Sequence, residues 1–315
     1  MRGFQKLIYV AVTVALIGCL SGCNVNFGFK TNYVYQSGEK YTAGDREITE
    51  KIETIDIDYL SGDITLIGTD SDVVTVKETS GKQLDDKRKV HTWVDGTTLY
   101  VRYCASAKGL DLNNLNKNLE IQIPADCQLD KLKVDVSSGD FTGKGFEANG
   151  VNVYASSGDV EVSCGAKDIE LKTSSGDIIL TQHGESDSIK LRASSGHVTA
   201  TMENAGKVDS YVSSGKLLIQ GHFIKELESK VSSGEGEYRF AVTPEKSNIN
   251  HSSGNVTIFL PGNADLTGEF KSSSGKVLYD LAFSKSDNKY VCGNGANDMN
   301  VYVSSGNIEI KEINE

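Results

Sequence analysis

The tripeptide Ser-Ser-Gly recurs nine times in this chain, ending at Gly139, Gly158, Gly176, Gly196, Gly215, Gly234, Gly254, Gly275 and Gly306. The intervals run from 18 to 21 residues, and only the last, at 31, is longer. Self-similarity at a fixed period of this size is the signature of a stacked, quasi-one-dimensional fold. Apolar residues alternate with polar ones on both sides of each glycine. Five and three residues before it stand pairs such as Val134 and Val136 or Val153 and Ala155; two and four after it stand Val160 and Val162, Ile178 and Leu180, Leu217 and Ile219. Between them lie Asp135, Lys172, Arg192 and Glu161. Such alternation describes strands with one buried face. The buried parity switches at the tripeptide, so the chain must change face there. A glycine flanked by small hydroxyl side chains suits a sharp corner, with the hydroxyls expected to bond backbone groups of neighbouring coils. The expected fold is all-β, a single-stranded parallel β-helix or β-solenoid with coils of about 19 residues.

Residues 1–22 read as a lipoprotein signal peptide: Arg2 and Lys6, an uncharged apolar run from Leu7 to Leu20, then Leu20-Ser21-Gly22-Cys23. That tetrapeptide resembles the bacterial lipobox, which implies lipid (palmitate) on Cys23. Leu16-Ile17-Gly18-Cys19 is an overlapping match, but Cys23 sits better at the end of the run. Residues 23–48 read as a tether and 49–315 as the solenoid, irregular over 49–130 and regular over 131–315. Ile55, Ile57, Tyr59, Ser61, Gly62, Asp63, Ile64 and Leu66 already fit the template. Gly62 precedes Gly139 by 77 residues, close to four periods, so irregular coils are expected between them. Within that stretch Asp95-Gly96 predicts a hairpin turn, Trp93 a core or cap position, and Leu119 to Ile123 a strand. The charged terminus Lys311-Glu312-Ile313-Asn314-Glu315 is expected to cover the final edge strand.

Little in the sequence points to catalysis. The regular coils lack the long loops that would wall a cleft, and no nucleophile elbow, phosphate-binding loop or His-Glu-x-x-His is present. The five histidines are read as falling at different repeat offsets, no cysteine pair has zinc spacing, and neither metal nor cofactor is expected. Asp63, Asp140, Asp159 and Asp177 share the position after the glycine and read as corner caps. Cys104 and Cys127 flank one strand and could meet across neighbouring coils in an oxidising compartment, though spacing does not fix pairing. A net charge of −11 argues against nucleic acid and leaves cationic partners open. The insertion between Gly275 and Gly306 is the candidate binding loop, with Asp287, Asn288, Lys289, Tyr290, Asn294 and Asn297.

Ile-x-Ile-x-x-x-Ser-Gly-Asp-Ile-x-Leu at 55–66, the Asp95-Gly96 hairpin, Ile121-Gln122-Ile123-Pro124 and the run of V-x-x-S-S-G-D-V-x-V coils together resemble one family. This is the bacterial "putative adhesin" domain of unknown function, a β-strand repeat of envelope proteins, and the resemblance spans residues 50–315. Together with the lipobox, it implies an extracytoplasmic, membrane-anchored, non-enzymatic adhesin-like or scaffold module in the cell envelope. Its partners would be envelope proteins or cell-wall and surface ligands. The alternatives are an envelope-stress sensor that binds cationic antimicrobial peptides or a membrane partner, and a β-helical polymer that self-associates through its coil ends.

Overall fold

The computed structural model describes residues 30–313, so Cys23 and the signal segment lie outside the described residues. The repeats form the expected parallel β-solenoid. One coil shows how. After Gly139 the inward residues are Phe141 and Gly143, then Phe146 and Ala148, then Val151, Val153 and Ala155. The alternation skips a step near Gly145 and again near Gly150, so each coil has three faces meeting at corners, the third being Ser-Ser-Gly. Adjacent coils pair in parallel and in register, Val153 against Leu171 and Phe141 against Val160. The inward residues therefore stack into continuous apolar columns. Burying each large aliphatic side chain contributes about 1.5–3 kcal/mol.

The corner glycines form a column of their own. Gly196 has φ +139, and a Cβ there would collide with the carbonyl oxygen of Gly176. Both the left-handed backbone and the close approach of coils demand glycine. The bonds across this corner are mainly backbone bonds: Gly158 N–H donates to Ser175 O at 2.9 Å and Gly176 N–H to Ser195 O at 3.1 Å. Hydroxyl-to-backbone bonds occur near it at Thr173 and Ser272. The aspartates cap the corners as expected. Asp140 Oδ1 accepts the N–H of Asp159 at 2.8 Å, Asp159 that of Asp177 at 2.7 Å, and Asp177 that of His197 at 2.6 Å.

The N-terminal end departs from the sequence reading. Strands β1 (Lys30–Tyr33), β2 (Thr42–Ala43), β3 (Arg46–Ile48), β4 (Thr54–Ser61), β5 (Ile64–Thr69) and β6 (Val74–Ser80) are followed by β7 (His91–Asp95), β8 (Thr98–Arg102), β9 (Ala107–Asp111), β10 (Lys117–Pro124) and β11 (Gln128–Ser138). β4 pairs directly with β11, and Gly62 N–H donates to Ser138 O at 2.8 Å. No irregular coils intervene between Gly62 and Gly139; the near-multiple of the period is a coincidence of length. The intervening residues build a cap instead. The β7–β8 hairpin turns at Gly96 as predicted, β8 covers β4, and β10 covers β5. β6 then runs antiparallel to β10, and β3 pairs antiparallel with β6 as the outermost strand. The expected tether is likewise docked from residue 30 onward. Tyr35 packs edge to face on Tyr41, Tyr41 lies tilted against Trp93, and Trp93 stacks on Tyr100.

From β12 (Phe141–Ser157) through β13 (Val160–Ser175), β14 (Ile178–Ser195), β15 (Val198–Ser214) and β16 (Leu217–Ser233) the chain winds regularly. It continues through β17 (Gly236–Phe240), β18 (Lys246–Ser253) and β19 (Val256–Leu260), and then skips a layer. β20 (Leu266–Ser274) and β21 (Val277–Tyr279) form the outermost parallel layer, followed by the hairpin β22 (Ser284–Ser286) and β23 (Lys289–Cys292). β24 (Asn297–Ser305) returns to lie between β18 and β20, and β25 (Ile308–Glu312) between β19 and β21. The corner of Gly306 thus sits between those of Gly254 and Gly275. β25, which carries Lys311 and Glu312, is internal and is not a final edge strand, and Asn314 and Glu315 lie outside the described residues. At the C-terminal end β23 runs antiparallel to the first half of β20, and β22 antiparallel to β23. At both ends the sheet finishes in short antiparallel strands, a usual way to blunt an edge.

Candidate functional site

The 287–297 insertion belongs to the C-terminal cap. Tyr290 is buried, its ring 5.0 Å from Phe270 and 5.6 Å from Tyr279, while Phe283 packs edge-on against both Tyr279 and Tyr290. Asn297 Nδ2 donates to Asp265 O at 2.8 Å and Ala296 N–H to Asp265 Oδ1 at 2.9 Å. The Ala296 N–H bond, with those of Gly295 and Asn294 beside it, holds the Asp265 carboxyl below the usual range. Asn294 lies 3.5 Å from the same carboxylate. Asp287, with φ 55, Asn288 and Lys289 remain exposed at the hairpin tip. The six predicted residues are therefore divided between cap core, cap turn and tip.

The four cysteines among the described residues, Cys104, Cys127, Cys164 and Cys292, are free thiols. Cys127 lies against Ile52 O at 3.5 Å, beside the residues that lead into β4. Cys104 follows Tyr103, whose N–H donates to Asp58 O near the far end of β4. Six residues of extended chain separate those points, roughly 20 Å, well beyond disulfide reach. The possible Cys104–Cys127 pairing is not made. Burial pushes the Cys104 thiol up to about 12.

Two buried polar networks escaped the sequence reading. In the N-terminal cap Lys117 is fully buried and ion-paired to Glu78 Oε1 at 2.6 Å. Its Nζ also donates to Arg88 O at 2.6 Å and to Tyr103 O, and lies 4.0 Å from the Tyr103 ring centroid. Burial lowers the Lys117 pKa against the opposing pull of Glu78. Glu78 in turn accepts the Tyr59 hydroxyl at 3.2 Å and Val90 N–H at 3.0 Å. In the solenoid core, Ser210, Ser229, Tyr238 and His251 form a file with contacts of 2.9, 2.7 and 3.0 Å. The glycine at 236, where the repeat expects an apolar residue, is explained here: a Cβ on Gly236 would strike the His251 ring. Burial drives His251 down to about 4. Tyr238 and His251 are sealed from solvent, so this Ser–Tyr–His file packs the core and has no access to a substrate.

The outer surface offers open grooves. One, of about 490 Å³, includes His183, Glu203, His222, Gln220 and Arg239. His183 and His222 both lie seven residues after their glycines with Glu203 between them, correcting the reading that the histidines share no offset. His183 Nδ1 stands 3.8 Å from Glu203 Oε1. Among the described residues no group of three His, Cys, Asp or Glu side chains is gathered closely enough to hold a metal ion.

Residues 52–311 match the family model described as Toastrack DUF4097, and the chain belongs to that family. Solved structures similar to it include a "putative cell adhesion protein" from Clostridium sporogenes, at 13% identity, covering 87% of this chain and 100% of that one with a TM-score of 0.23. A "putative adhesin" from Parabacteroides merdae shares 12% identity over 87% of this chain and 97% of its own, TM-score 0.40. Another, from Parabacteroides distasonis, shares 14% over 85% and 96%, TM-score 0.42. No curated protein matches.

Proposed function

We propose that this chain is a non-enzymatic, adhesin-like surface module, held at the outer side of a membrane by lipid on Cys23. The observation that carries the reading is the solenoid's plain outer surface. In-register strands run from the Gly62 layer to the Gly275 layer, and the grooves among the described residues lie open along those strands. Such a scaffold suits the display of a long, rigid binding face better than the enclosure of a reacting group. The exposed hairpin tip at Asp287, Asn288 and Lys289 is a secondary contact point on the same module.

The test has two parts. Wild-type and Cys23→Ala chains are expressed in a bacterial host with radiolabelled palmitate and exposed to protease on intact cells. Label and protease sensitivity in the wild type, with label lost in the variant, support the reading. An unlabelled chain protected from protease contradicts it. A net charge of −11 favours one further reading, capture of cationic envelope peptides. That reading predicts binding that weakens steeply with salt.

A further inference from the structure

The fourth residue before each corner glycine points outward, and the strand pairing places these residues in one file along the rod. Tyr154 lies beside Lys172, Tyr211 beside Lys230 and Tyr302 beside Lys271. Each lysine has a glutamate two residues earlier on the same face: Glu170, Glu228 and Glu269. Serines complete the pattern. Ser213 Oγ donates to the Tyr211 hydroxyl at 3.1 Å, and Ser273 Oγ stands 3.1 Å from that of Tyr302. The Ser156 and Ser174 hydroxyls hold the Tyr154 phenol below its usual pKa in the same manner. Lys172 Nζ lies 5.1 Å from the Tyr154 ring centroid. None of the three lysines forms an ion pair among the described residues.

These are three copies of one constellation, and they are evenly spaced. Tyr154 and Tyr211 are three layers apart, as are Tyr211 and Tyr302, roughly 14 Å in each case. Because β24 inserts between β18 and β20, Tyr302 precedes Lys271 along the axis in the same order as the other two copies, and it stands three layers from Tyr211 rather than four. In chain order Lys271 precedes Tyr302 by a full coil and an insertion.

We propose that this file is a binding strip for a linear, uncharged polysaccharide lying along the solenoid axis. Three considerations select that occupant. A site repeated by translation matches a ligand that repeats by translation, and an extended glycan advances by about one coil spacing per sugar. Each copy pairs one Lys with one Glu and carries no net charge, on a chain whose overall charge is −11, so a polyanion is disfavoured and nothing in the file selects a polycation. A sugar ring offers a C–H face for the tyrosine and hydroxyls that both donate and accept, which Glu, Lys and Ser complement. Glu228 already accepts such a bond, from Asn248 Nδ2 at 2.6 Å.

The inference deepens the surface-module reading and rests on it for the strip's access to glycans. The full chain, purified in detergent, is run in native gels containing hydroxyethylcellulose, xylan or laminarin, with alginate as an anionic comparison. At least one neutral polymer should retard it. Tyr154→Ala, Tyr211→Ala and Tyr302→Ala should each weaken retardation about three- to tenfold, and the triple variant should abolish it, because linked subsites multiply. Tyr→Phe at the same positions should retain most of it. Retardation by alginate alone, by no polymer, or equally of a triple variant with unchanged melting would overturn the strip. So would a wild-type dimer that becomes monomeric in the triple variant, since the face would then pair copies of the chain. Protease shaving of intact cells separates the two claims: a surface-exposed chain that no polymer retards leaves the module reading standing and removes the strip.

Discussion

The two ends of the solenoid solve one problem with different chemistry. Each must terminate a parallel sheet whose last strand would offer unpaired backbone groups, and each does so with antiparallel strands, beginning with β6 at one end and β23 at the other. Beneath β6 the space is polar: the Lys117–Glu78 pair satisfies loose carbonyls at Arg88 and Tyr103. Beneath β23 it is aromatic, with Phe270, Tyr279, Phe283 and Tyr290 in mutual contact. The polar cap occurs where the corner is assembled from two separate chain segments, which leaves carbonyls without coil partners. The aromatic cap occurs where one continuous hairpin folds over a complete layer. Topology therefore sets which chemistry an end requires.

Single substitutions should expose that difference. Lys117→Met leaves Glu78 buried without its counter-charge and should cost about 3–5 kcal/mol. The double variant Lys117→Met, Glu78→Leu should recover most of it in urea unfolding. A double variant no better than the single would remove the ion pair from the account. At the other end, Tyr290→Ala should cost about 3 kcal/mol through lost packing, with little salt dependence. A cost below about 1 kcal/mol would mean the hairpin is not a structural cap.

Between the ends, His251 supplies a pH dependence. Its folded pKa, about 4, lies below the ordinary 6.5. Below pH 6.5 the unfolded chain therefore takes up a proton that the folded chain refuses. Stability from this group is complete above pH 6.5 and is lost as pH falls toward 4, by about 3 kcal/mol in all. His251→Gln should flatten that part of the profile relative to wild type; an unchanged slope would contradict it. The smallest effect concerns the thiols. Native protein treated with a maleimide should label at half-buried Cys127 at least about tenfold faster than at buried Cys104, read by mass spectrometry. Equal rates would mean that the N-terminal cap opens readily.

The coils were legible because their physics is local: period-two burial, a glycine at each corner and an aspartate after it all recur within one repeat. Gly236 was visible as a departure, although its cause, the His251 ring, comes from the next coil. What the sequence did not disclose was layer order. A chain that skips a layer and later fills it keeps every local signal intact, so Gly306 reads as the last coil although it packs next to last. The Gly62–Gly139 interval misled for the related reason that a cap of hairpins can match a multiple of the period in length. The even spacing of Tyr302 with Tyr154 and Tyr211 was hidden by the same reordering. Lys117 carried no signal, since a lone lysine on a strand ordinarily faces water.

Layer order is the central claim, and cross-linking tests it most directly. Asn250 pairs with Tyr302, and Tyr302 with Lys271, placing Asn250 two layers from Lys271. Cysteines introduced at 250 and 302 should lie about 5 Å apart and form a disulfide under mild oxidation, mapped by mass spectrometry, whereas a pair at 250 and 271 should stay reduced at about 10 Å. Rapid bonding of the 250–271 pair, with the 250–302 pair unreacted, would mean that the coils stack in chain order and would contradict the structure of the C-terminal end.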